Sequence, residues 1–183
     1  MLQLHRCAGR DQWDNLAAQV CADAGSLLEL LDALEGIPLR DARGGQPTQR
    51  TQQLAGYVLL HVHRKCPEVL TPHLDRLHNL LLNTDQRPQH ASIPRQLYSV
   101  FQDRAIPERL AGTLYARALD DFLARGQAVG IRARALQTCA NIAAQYDGLW
   151  TELAAVAAEV SSLEPPGILS ISRRVAKQAK ANG

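Results

Sequence analysis

Apolar residues recur along this chain at helical spacing. Leu70, Leu74, Leu77 and Leu81 form a single stripe, and Leu110, Leu114, Ala118 and Phe122 form another forty residues on. The same periodicity predicts a helix over 12–23, with Trp13, Leu16, Ala17 and Val20 on one face and Asp11 as its cap. A second helix opens at Ser26 and carries the leucine-rich run 27–34 to a stop at Gly36. Further helices are predicted over 49–65, 68–82, 92–104, 108–125, 128–145, 149–162 and 168–181. Prolines and glycines make 37–47 a long loop, 83–89 reads as a turn, and 1–10 has few features to tie it down. No segment alternates apolar and polar residues with β-branched enrichment, so the expected class is all-α, with about eight helices in one domain over 1–183.

The helix starts repeat. Pro67-Glu68 is followed by Leu70 and Pro107-Glu108 by Leu110, while Asp147-Gly148 precedes Trp150 after another 40 residues. Arg95, Arg134 and Arg173 lie 39 apart, each two residues before an apolar side chain: Leu97, Leu136 and Val175. A period of about 40 in an all-helical pattern marks a solenoid of antiparallel helix pairs, each burying a face that it cannot cover alone. The pairs would be 26–35 with 49–65, 68–82 with 92–104, 108–125 with 128–145, and 149–162 with 168–181.

Composition narrows the function class. The net charge is +2, far from that of a strongly basic nucleic-acid module, and aromatics are scarce. Nearly all positive charge is arginine, with lysine only at 65, 177 and 180. No stretch approaches the ~18 apolar residues of a membrane span, and the first residues have no signal-peptide pattern, so the expected location is cytoplasmic. Cys7, Cys21, Cys66 and Cys139 are far apart, without a C-x-x-C, and are expected to be free thiols.

The segment 130–143 (GIRARALQTCANIA) resembles the second helix of a HEAT-type repeat. Arg95, Arg134 and Arg173 fall near the position where that repeat often carries a basic residue. From Gln49 to Ala181 the arrangement is similar to a group of small bacterial HEAT-like proteins of unknown function, some of which carry the name adenylosuccinate lyase. The flexible Gly-Ser-Ser-x-Met-Pro-type loop of the lyase superfamily is absent, Met1 being the sole methionine. HEAT repeats often place an aspartate before the second helix. This chain has Gln127-Ala128-Val129 and Pro165-Pro166-Gly167 there instead.

The arginine ladder is the leading candidate site. If second helices line a concave face, Arg95, Arg134 and Arg173, flanked by Arg132, Arg174 and Lys177, form a stripe suited to phosphates or an acidic segment. Tyr57, Tyr98 and Tyr115 are candidate anchors for a partner. His61 with His63, and His73 with His78, lack the i, i+3 or i, i+4 spacing of a helical metal pair. Glu29 with Asp32 and Asp120 with Asp121 read as solvated faces. No motif marks a catalytic residue, metal ligand set or cofactor site. The expected function is therefore a non-enzymatic helical-repeat binding or scaffold protein with a protein or peptide partner. The alternative is nucleic-acid backbone binding through the arginine stripe.

Overall fold

The computed structural model describes Leu4 and residues 9–37, 49–84 and 92–182. Most of the 1–10 segment, the 37–47 loop after Ile37 and the turn after Thr84 lie outside the described residues, as does Cys7. Among the described residues the fold is all-helical, without a strand. No described helix is long and apolar enough to cross a membrane.

The helices are α1 (Arg10–Ala22), α2 (Ala24–Glu35), α3 (Gln49–Lys65), α4 (Leu74–Asn83), α5 (Ser92–Phe101), α6 (Glu108–Leu123), α7 (Val129–Ala143), α8 (Leu149–Ala158) and α9 (Pro166–Asn182). Three starts differ from the sequence reading. Asp11 does not cap α1, whose N-cap is Gly9. Asp23 caps α2, accepting from the Ser26 N–H at 2.7 Å. The helix expected over 68–82 begins as a 3₁₀ segment, Pro67–His73, and becomes α-helical only at Leu74. Pro72 is the cause: it has no N–H, and its ring disfavours the α conformation in the residue before it. Gly36 ends α2 in the left-handed region, at φ +79°, as its position predicts.

The chain divides into two compact units, Met1–Leu97 and Tyr98–Gly183, with the division inside α5. In the first unit α1, α2 and α3 pack pairwise. Leu27, Leu30, Leu31 and Leu34 of α2 and Val58, Leu59 and Val62 of α3 fill its core, and the predicted stripe Leu70, Leu74, Leu77, Leu81 is buried throughout. Arg76 of α4 pairs with α2, donating from Nε and Nη2 to the two oxygens of Glu35 at 2.7 and 2.9 Å and also to Asp32. Burial of Gln96 over α3 requires the glycine at 56, because a Cβ there would lie 1.6 Å from Gln96 Oε1.

Cys21 and Cys66 form a disulfide, with Cα atoms 6.1 Å apart. This corrects the expectation of free thiols: helix packing brings together two cysteines separated by 45 positions. Cys139 remains a buried free thiol.

In the second unit α6 packs on α7, α8 on α9, and α7 also on α9. Side chains of α7 and of the turn after it satisfy backbone groups one sequence period earlier. Thr138 Oγ1 donates to the Tyr98 carbonyl at 3.2 Å, and Asn141 Nδ2 donates to the Phe101 and Arg104 carbonyls, both at 2.8 Å. The Tyr146 hydroxyl donates to the Ile106 carbonyl, and Gln145 Oε1 accepts from the Ile106 N–H at 2.8 Å. The sequence separations are 40, 40, 37, 40 and 39.

Candidate functional site

The predicted arginines meet different fates. Arg132 is buried, and every part of its guanidinium is engaged within the unit. Nε donates to the Phe122 carbonyl at 2.8 Å, while Nη1 and Nη2 donate to the two oxygens of Glu164 at 2.7 and 3.0 Å. Its cationic plane also lies 5.6 Å from the centre of the Phe122 ring. This fork geometry suits a carboxylate, and the pairing holds Glu164 below its ordinary carboxylate pKa. Arg132 therefore clamps the end of α6, the start of α7 and the turn before α9, and it leaves the proposed stripe.

Arg134 and Arg174 have neutral partners. Arg134 Nη1 donates to Gln102 Oε1 at 2.6 Å. Arg174, on α9, donates from Nη2 to Gln137 Oε1 on α7. At Arg134 and at Arg174 a glutamine amide orients the guanidinium. Arg173 and Lys177 lie exposed on α9. Arg95, exposed on α5, belongs to the first unit, so the two units divide the 39-residue ladder.

Acidic residues are unevenly placed in the second unit, and α6 carries Arg109 and Arg117 beside its carboxylates. Neither α7 nor α9 contains an aspartate or glutamate, whereas together they carry Arg132, Arg134, Arg173, Arg174, Lys177 and Lys180. Glu108, Asp120 and Asp121 are on α6 and Glu152 is on α8. Because α7 and α9 are in contact, their basic residues belong to one packed layer.

The tyrosines divide similarly. Tyr98 is fully buried and its hydroxyl donates to Asp121 Oδ2 at 2.6 Å, while Arg117 Nε donates to the same oxygen at 3.0 Å. Burial, with Asp121 beside it, pushes the Tyr98 hydroxyl pKa well up. Asp121, expected to be solvated, is completely buried. Its position eleven residues after Leu110 places it on the buried face of α6, a signal present in the sequence. Tyr115 is also buried, so neither tyrosine can anchor a partner. Tyr57 stays partly exposed, stacked on Trp13 with ring centres 4.9 Å apart.

Among the described residues no group of three or more His, Cys, Asp or Glu side chains could hold a metal ion. His61 Nδ1 instead lies 2.8 Å from Asp14, which Lys65 also approaches at 3.5 Å. A shallow cleft of about 310 Å³ opens where the α6–α7 and α8–α9 turns meet. The Arg132–Glu164 pair lies in its lining and Leu163, 93% exposed, on its rim. The Arg132–Glu164 pair neutralises itself, and exposed Arg125 adds a further cation to the lining.

Compared with protein-family models, with curated proteins and with solved structures, the chain matches none.

Proposed function

We propose that this chain is a non-enzymatic binding or scaffold protein built of HEAT-like helix pairs, and that the α7–α9 layer takes an acidic protein segment. The observation that carries this reading is the absence of acidic residues from two contacting helices whose cations include amide-oriented Arg134 and Arg174. A neutral amide orients a guanidinium without adding a counter-charge of its own. The hydrogen bonds between positions one period apart support the repeat reading. Nucleic-acid backbone binding would draw on the same cations. However, α7 and α9 carry no aromatic side chain on which an unpaired base could stack, which favours the peptide.

The test is fluorescence polarisation of a labelled oligoglutamate peptide at low salt, with duplex and single-stranded DNA as competitors. Arg134→Gln with Arg174→Gln should weaken peptide binding about tenfold. No peptide binding, or binding indifferent to the two substitutions, overturns the reading. Retention of DNA in preference to peptide, falling steeply with salt, transfers it to nucleic acid.

A cytoplasmic setting belongs to the same reading. Cytosolic disulfides are usually transient or redox-sensing, which directs attention to the Cys21–Cys66 bridge.

A further inference from the structure

We infer that Cys21–Cys66 is an exchangeable disulfide, a redox modification site at which a dithiol releases α1 from α3. This goes beyond the binding role of the second unit and does not depend on it.

Ring contacts, an ion pair and the disulfide tie α1 to α3, and Trp13 also meets the His61 ring edge-on at 6.0 Å. Trp13 stacks on Tyr57, Asp14 meets His61 and Lys65, and Cys21 is bonded to Cys66 just past the end of α3. Tyr57, His61 and Lys65 are four apart, so they form one face of α3. Of the described α1 side chains, Ala17 and Val20 are buried, while Trp13, Asp14 and Leu16 stay half-exposed. Helix α1 also packs on α2, and Gln19 Nε2 donates to Ser26 Oγ at 3.4 Å. Small buried side chains, ring contacts and a half-exposed Asp14 each contribute modestly, so removal of the covalent bond loosens the docking of α1.

The bridge is also open to attack. Cys21 is partly exposed whereas Cys66 is buried, so an incoming thiolate has better access to the Cys21 sulfur. That attack forms a mixed disulfide at Cys21 and sends the bonding pair of the S–S bond to Cys66 Sγ, which leaves as a thiolate and takes a proton. The reductant's second thiolate then attacks its own sulfur in the mixed disulfide. Cys21 is released as a thiolate and is protonated in turn. The dithiol is oxidised to a disulfide, and the protein bridge is reduced to two thiols. Release of α1 uncovers His61, which the oxidised form keeps buried beside Trp13 and Asp14.

The experiment uses the full chain purified without reductant and equilibrated with set ratios of reduced and oxidised dithiothreitol. Alkylation followed by peptide mass mapping counts thiols, and hydrogen exchange is read segment by segment. The expected result is joint appearance of the Cys21 and Cys66 thiols without denaturant, with exchange protection over 10–22 falling by about tenfold or more. Protection over 98–182 should not change, and reoxidation should restore α1. Cys21→Ser with Cys66→Ser should reproduce the reduced pattern, and Cys139→Ser should leave the response intact. If the double variant does not fold, the wild-type titration decides. The inference is overturned by absence of the bridge in oxidised protein, by reduction only under denaturing conditions, or by reduction that leaves α1 protected.

Discussion

The two units solve the same packing problem with different chemistry. In the first, helices distant in sequence are joined through the disulfide, the Trp13–Tyr57 stack and the Arg76 ion pairs, which involve partly exposed groups. In the second, polar side chains satisfy backbone carbonyls one period away, and the Arg132–Glu164 and Tyr98–Asp121–Arg117 networks are largely buried. Titratable chemistry follows the same division. All six histidines precede residue 98, and the second unit has none.

The comparison breaks most directly at Arg132. Arg132→Ala strands Glu164 and removes the donor to the Phe122 carbonyl, and should cost about 3 kcal/mol or more in denaturant unfolding. Replacing the pair together, as Arg132→Met with Glu164→Leu, should recover much of that loss. A cost under about 1 kcal/mol for Arg132→Ala would mean that the clamp does not hold these turns together.

Asn141→Ala tests the periodic hydrogen bonds. It leaves the Phe101 and Arg104 carbonyls without this donor and should cost about 1–2 kcal/mol by the same measurement. In the first unit, Gly56→Ala should cost about 1 kcal/mol, because overpacking against Gln96 outweighs the gain in helix propensity. Gln96→Ala in the same chain should return most of it. An additive double variant would show that the close approach is not the cause.

The smallest effect is the response to pH, which sharpens the contrast. Burial lowers the pKa of His78 below its ordinary 6.5. The unfolded chain then takes up a proton first, so this contribution is complete above pH 6.5 and is lost as pH falls through the folded value. Asp14, lowered chiefly by its hydrogen bond to His61, and Glu164, lowered chiefly by Arg132, act only in the carboxylate range. Their contributions are present above ordinary carboxylate pKa values and are lost as pH falls through the lowered ones. Hydrogen exchange as a function of pH should therefore show the first unit weakening at mildly acidic pH while 98–182 holds. His78→Gln should remove that early step.

Much of this was legible beforehand. The leucine stripe 70–81, the α3 boundaries and the Gly36 stop follow from periodicity and local turn chemistry, and the structure has them. The candidate site was legible only in part. Arg132 and Arg134 are two residues apart with the same side chain, yet one is buried in a clamp and the other is held by a glutamine. Two positions on a helix differ by about 200° in direction. Periodicity tells them apart, but it does not say that a glutamate 32 residues on will meet one of them. Asp121 could have been placed inside by its position on the stripe, but its Tyr98 and Arg117 partners could not all be named from that position.

By itself, the sequence determined the helical class, the positions of most helices and the absence of acidic residues from α7 and α9. These depend on residue order within one turn or one helix, where neighbours in sequence are neighbours in space. Only the tertiary structure decided that Cys21 meets Cys66, that Tyr98 and Tyr115 are core residues, and which arginines are engaged inside the protein. Each of these requires groups from different helices to meet within a few ångströms, and helix–helix packing, not local spacing, sets those distances.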